Sequence, residues 1–160
     1  MFERLRAQIA ASRPPAAVRA IVPSGEHLLS WGYDTGGDPL VATTRGLWGY
    51  GERLAWVEID HVTLIDDVLT IRGIDGDDRE VPLREARDLP AVVKAQVEGS
   101  VLHSRRVPLL ADGRGVTIVA RRSGEDIDWR LQFDVGLEPD DALWDKAERA
   151  RDAIRAELGA

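Results

Sequence analysis

Between Leu28 and Phe133 the apolar residues fall in runs of about five to nine positions, bounded by glycine, aspartate and proline. The clearest run is Ile127-Asp128-Trp129-Arg130-Leu131-Gln132-Phe133, in which every odd position is apolar and every even one polar. A period of two is that of a strand with one face in a core. Val116, Ile118 and Ala120 form a weaker stripe just before it, and the two together predict an antiparallel meander with one wet face. Tyr33-Asp34-Thr35-Gly36-Gly37-Asp38 separates a run at His27 to Gly32 from one at Pro39 to Trp48, and Gly49-Tyr50-Gly51 turns that run into Arg53 to Ile59. Further turns are expected at Asp66-Asp67, Asp75-Gly76, Asp112-Gly113 with Gly115, and Ser123-Gly124. The pattern predicts about seven or eight strands.

Three stretches carry a helical period instead. Phe2, Leu5 and Ile9 are spaced for a short opening helix that Pro14-Pro15 ends, and Ala16 to Ile21 reads as helix or extended chain. Leu89, Val93, Val97 and Val101 recur every four residues after Asp88, an N-cap candidate, and predict a helix from about Pro90 to about Leu102, with Gly99 near its end. From Pro139 to Leu158, Leu143, Ala147, Ala150, Ile154 and Leu158 form an apolar stripe. Acidic Glu138, Asp140 and Asp141 at its start and basic Arg149, Arg151 and Arg155 toward its end complement the helix dipole. The expected organisation is an N-terminal helical extension over residues 1–21 and a single domain over residues 22–160, whose helix at 139–158 closes one end of the β-structure.

A length of 160 residues suits one domain, and 44% hydrophobic with 31% charged residues is an ordinary globular balance. Without cysteine there is no disulfide framework, thiolate zinc site or iron–sulfur cluster. The start of the chain lacks the apolar run of a signal peptide and no window approaches a membrane span, so a cytoplasmic location away from membranes is expected. A formal charge of -7 disfavours sequence-independent attraction to nucleic acid or anionic lipid.

No residue set reaches the standard of a catalytic or metal site, and no cofactor is implied. His27, His61 and His103 are far apart and none has a partner at ligand spacing. Ser104 next to His103 points to the opposite face of a strand. Asp75-Gly76-Asp77-Asp78 lacks the glycine and glutamate that shape a calcium loop. Gly46 to Gly51 is rich in glycine but leads into a strand, whereas a phosphate loop opens a helix. Of the five tryptophans, Trp48, beside Tyr50 at a glycine turn, is the one expected to be exposed for binding. Arg105-Arg106 and Arg121-Arg122 fall in neighbouring strands. They read first as solvated faces or cross-strand partners of Asp126 and Asp128, and second as a basic stripe for RNA, phosphate or an acidic surface.

Val22-Pro23-Ser24-Gly25-Glu26-His27-Leu28-Leu29-Ser30-Trp31, Leu40 to Trp48, Leu54-Ala55-Trp56 and Ile59, with Arg121-Arg122, Trp129 and Phe133-Asp134, resemble a family of short uncharacterised actinobacterial proteins. More distantly, Thr43-Thr44-Arg45-Gly46-Leu47 and Trp56-Val57-Glu58-Ile59 resemble the T-x-R-x-L and W/P-x-x-I strands of bacterial PH-like domains. That resemblance implies an α+β, mainly β fold: an antiparallel PH-like split barrel, or strongly curved sheet, of about seven strands with a C-terminal capping helix. The helix near Pro90 to Leu102 departs from the pattern. The implied role is a non-catalytic binding or scaffolding module for a protein partner, with Arg45, Trp48, Tyr50, Arg105, Arg106, Arg121 and Arg122 as binding candidates. A nucleic-acid role for the arginines, an enzyme of unrecognised mechanism, and a homodimer formed through a sheet edge are the alternatives.

Overall fold

The computed structural model describes residues 13–123 and 125–159. The opening helix expected at Phe2 to Ile9, and Gly124 of the last predicted turn, lie outside the described residues. The elements in chain order are α1 (Ala16–Ile21), β1 (Leu28–Asp34), β2 (Pro39–Thr43), β3 (Gly46–Gly49), β4 (Glu52–Ala55), a 3-10 turn (Trp56–Glu58), β5 (Ile59–Ile65), β6 (Val68–Gly73), β7 (Asp78–Glu85), α2 (Leu89–Ser100), β8 (Val101–Pro108), β9 (Gly115–Ser123), β10 (Asp126–Phe133) and α3 (Asp141–Glu157). The chain divides into two compact units, one running to Glu98 and the other starting at Gly99.

The first unit is a seven-stranded antiparallel sheet in the order β4-β3-β2-β1-β7-β6-β5. Its two halves supply one core: Leu40, Ala42 and Leu47 from β2 and β3 are buried in the same cluster as Ile59, Val62, Leu69, Ile71, Val81 and Leu83 from β5 to β7. Leu89, Val93 and Val97 of α2, all at most 3% exposed, complete it. The period-four stripe seen in the sequence is therefore the face that α2 turns to the sheet. Gly32 lets this helix approach. A Cβ there would lie 2.6 Å from the Glu85 carbonyl oxygen and 3.2 Å from the Leu89 side chain. On the outer face, Val18 of α1 packs with Trp31 and Val41 in a smaller cluster, and the Arg87 guanidinium lies 4.2 Å from the centre of the Trp31 ring.

Two of the predicted long strands are broken by local side-chain chemistry. In the run from Pro39 to Trp48, the Thr43 hydroxyl oxygen lies 3.2 Å from the Gly46 carbonyl oxygen and accepts from the Arg45 N–H at 3.3 Å, closing a turn. Arg45 thus sits in a turn between β2 and β3 and not within a strand. Gly46 is required after it, because a Cβ there would come within 2.5 Å of the Leu54 carbonyl oxygen. In the run from Arg53 to Ile59, the Glu58 carboxylate accepts from the Ala55 N–H at 2.7 Å and winds Trp56–Glu58 into the 3-10 turn. These breaks raise the strand number above the expected seven or eight. Asp66 and Asp67 form the expected two-residue turn, with φ of 49° and 61°.

The second unit is a three-stranded antiparallel meander, β10-β9-β8, with α3 packed on it. Three of the four apolar positions of the alternating run behave as its period predicts: Trp129, Leu131 and Phe133 join Val116, Ile118, Ala147 and Ile154 in one cluster, while Ile127 is 41% exposed. Asp140 caps α3, its carboxylate accepting from the Leu143 N–H at 2.8 Å. α2 completes the core of the seven-stranded sheet, and α3 shares a cluster with the three-stranded meander. The stripe of α3 is matched to a separate three-stranded surface. No helix among the described residues is long and apolar enough to cross a membrane.

Because α2 seals the shared core, Leu89→Ala is expected to cost the first unit about 2–5 kcal/mol in denaturant unfolding. Gly32→Ala should cost about 1–3 kcal/mol through overpacking against β7 and α2. Trp144, in the second unit, serves as the control: Trp144→Ala should leave the unfolding of the first unit unchanged.

Candidate functional site at the mouth of the first unit

The turn between β3 and β4 has only Tyr50 and Gly51 at its tip, since Gly49 and Glu52 are register partners. Both tip residues have positive φ, 54° for Tyr50 and 78° for Gly51, as a type I′ hairpin needs. Glycine accepts that backbone readily and tyrosine does so at a cost of order 1 kcal/mol. The conformation re-aims the Tyr50 side chain. By strand alternation it would share the outer face of Trp48, yet it lines an opening whose other walls are inner-face residues.

That opening lies where the two halves of the sheet part. Leu40, Leu47 and Leu54 form one wall and Ile71 and Val81 the other, around a space of about 50 Å³. Leu40, Leu47, Ile71 and Val81 are each 6% exposed or less, so the floor is core. Glu52 and Arg79 stand at the rim and pair across it at 3.5 Å. Tyr50 is 62% exposed but not free to swing. Its hydroxyl donates to Asp34 Oδ2 at 2.6 Å, and Asp34 Oδ1 accepts from the Asp38 N–H at 2.8 Å. The β1–β2 and β3–β4 turns are tied together by this pair. Local burial, followed by the bond to Asp34, pushes the Tyr50 phenol up to about 12. The Tyr50 hydroxyl and then the Asp38 N–H hold the Asp34 carboxyl below its ordinary range.

Trp48, expected to be available for binding, is engaged elsewhere. Its indole N–H donates to Glu26 Oε2 at 3.0 Å, and Arg53 lies over its ring at 5.9 Å from the centre. Glu26, 4% exposed, also accepts from the Thr43 hydroxyl at 2.5 Å and from Arg53 at 3.2 Å. Burial pushes the Glu26 carboxyl up, but the hydrogen bonds from Thr43, Trp48 and Arg53 together outweigh it and hold the group below its ordinary value. Trp48 and Tyr50, two residues apart, thus serve different carboxylates. Arg45 is exposed in its turn, and its guanidinium has no ion pair among the described residues.

The four arginines of the second unit do not form a stripe. Register places Arg105 and Arg122 on the face that carries Ile118 and Trp129, and Arg106 and Arg121 on the other. Arg105 pairs with Glu157 of α3 at 2.9 Å, and Arg106 with Asp134 at 2.5 Å. Arg121 is 4% exposed and donates to the Ser100 hydroxyl at 3.2 Å. Asp128, its register partner across the strands, pairs with Arg130 at 2.6 Å. Arg122 alone of the four is exposed without an ion pair among the described residues. The sequence carried a signal for the Tyr50–Asp34 tie only in the glycines flanking Tyr50; Glu26 and Asp34 could not be singled out, because acidic residues are frequent throughout the chain.

Two outcomes test this electrostatic arrangement. The folded pKa of Glu26 is depressed, so the stability it contributes is present above its ordinary value of 4.5 and lost as pH falls through the lower folded value. Glu26→Leu should cost about 2 kcal/mol at neutral pH, by removing the acceptor that the Thr43 hydroxyl, the Trp48 N–H and Arg53 share, and should flatten the acid limb of the stability curve. In a Tyr33→Phe background, which leaves Tyr50 as the only tyrosine, the phenolate absorbance should appear near pH 12 and move to lower pH in Asp34→Asn. Comparison of the chain with models of protein families, with curated proteins and with solved structures finds no match.

Proposed function

We propose that the protein is a cytoplasmic, non-catalytic binding module whose first unit is a PH-like split barrel that recognises a protein partner. The strand order supports the fold reading. Four strands in β1 to β4, three in β5 to β7, a junction between β1 and β7 and a following helix that completes the shared core are the parts such a barrel requires. Fold alone does not assign a role. The observation that carries the functional reading is Tyr50: an aromatic ring, 62% exposed, held by the Asp34 bond over an opening with an apolar floor. Rigid, exposed tyrosines next to apolar recesses are the anchors that protein interfaces use, because little side-chain entropy remains to be lost. The acidic β1–β2 turn argues against an anionic headgroup as the ligand.

A photoreactive phenylalanine analogue at position 50, expressed in cells and irradiated, is expected to give one discrete protein adduct that nuclease treatment leaves intact. The same probe at Arg122 is expected to give none. An adduct of twice the mass of the chain would assign the surface to a homodimer. Nucleic acid joined at Arg122, or the absence of any adduct at position 50, would overturn the proposal.

A further inference from the structure

We infer that the segment received at the mouth of the first unit is cationic and inserts one branched aliphatic side chain between the walls formed by Leu40, Leu47, Leu54, Ile71 and Val81. This rests on the protein-binding reading and names the chemistry of the partner. Size is the first argument. One water needs about 10–15 Å³ of space of this kind, so an opening of about 50 Å³ holds roughly three to four heavy atoms, which is the branched end of a valine or leucine. The walls offer such a group only carbon, and Gly49, whose position lies 3.4 Å from Leu40 when a Cβ is built on it, leaves one side of the recess without a side chain.

Charge is the second argument. The guanidinium groups near the mouth are already matched by carboxylates, Arg79 by Glu52 and Arg84 by Glu85. Four carboxylates, Asp34, Asp38, Glu52 and Glu85, thus stand against two guanidinium groups, of which that of Arg84 lies 3.9 Å from the Cβ position of Gly37 in the β1–β2 turn, and Asp34 accepts from Tyr50 without being neutralised by it. A lysine or arginine next to the inserted side chain would meet this excess of carboxylates at the turn, while an acidic segment would be repelled. Tyr50 adds a ring face over which such a cation can lie. The occupant that satisfies floor, ring and rim together is a basic segment with one aliphatic anchor.

The probe is a synthetic peptide with a central leucine flanked on each side by two lysines, titrated into the full chain while the methyl resonances are followed by NMR. Binding is expected to move the methyl signals of Leu40, Leu47, Leu54, Ile71 and Val81 as a group. Replacing the central leucine by alanine should weaken binding by about fiftyfold, the effect of removing three buried carbons. Exchanging the lysines for glutamates should abolish it. Glu52→Lys, a change at an exposed position that leaves the core intact, should weaken binding several-fold, and Gly49→Val, which fills the recess, should remove the methyl shifts while the melting temperature reports that the fold survives. Equal binding of the leucine and alanine peptides, or shifts confined to acidic positions outside the recess, would show general attraction to a negative surface and overturn the inference. If the recess stays silent to every peptide while the adduct at position 50 still forms, the inference fails and the protein-binding reading survives. If both are absent, both fail.

Discussion

The fit of α2 against the inner face of the sheet is the constraint on which the first unit depends. An antiparallel sheet of seven strands whose two halves contribute to one core needs a further element to cover the rest of that apolar face. Leu89, Val93 and Val97 provide that cover, and they can do so only because β1 carries Gly32 where β7 and the start of the helix pass closest. Ser30, two residues earlier on the same inner face, donates to Asp88 at 2.6 Å immediately before the helix begins. One short stretch of β1 thus fixes both where the helix starts and how near it comes. The mouth lined by Leu40, Leu54 and Val81 is the region that this helix does not fill.

The same unit uses two carboxylates in opposite ways. Glu26 gathers Thr43, Trp48 and Arg53 around a buried group, so a potential binding aromatic becomes part of the scaffold. Asp34 takes a single phenol from the next hairpin and holds it outward. The contrast follows from hydrogen-bond chemistry. An indole N–H has no second polar role once it donates, and its large ring is covered by Arg53 and the outer cluster. A phenol can donate through its oxygen and still present both ring faces. The left-handed backbone at Tyr50 is what separates the two outcomes, since it removes the ring from the outer face that Trp48 occupies.

Much of the fold was legible in the sequence because periodicity reports burial directly. The alternation from Ile127 to Phe133, the four-residue stripe from Leu89 and the long stripe of α3 each became the predicted element. What periodicity could not report was which surface each stripe meets. Leu89 to Val97 and Leu143 to Ile154 are both apolar helix faces, and nothing in either indicates that one fills a seven-stranded sheet and the other a meander. The breaks at Thr43 and Glu58 were hidden for a related reason: a threonine in a β-branched run looks like a strand residue until its hydroxyl is seen to close a turn. Of the residues at the mouth, Tyr50 was singled out in the sequence and Asp34 was not, because an acidic residue in a glycine-rich turn is indistinguishable from a solvated one until its partner, 16 residues along the chain, is known.

The arginines show why a cluster of charge in sequence is weak ground for a function. Adjacent strand residues project to opposite faces, so two arginine pairs on neighbouring strands can supply at most two cations to either face. Here even that is reduced, since Arg105 and Arg106 are matched by carboxylates from α3 and from the segment after β10, and Arg121 is buried. A surface reads charge only after pairing and burial have been subtracted. Applied to the mouth, the same subtraction sets Arg79 and Arg84 against Glu52 and Glu85 and leaves the β1–β2 turn with the net negative charge of the group. In the proposed complex the turn attracts the cationic segment and the apolar recess beside it selects its anchor by shape.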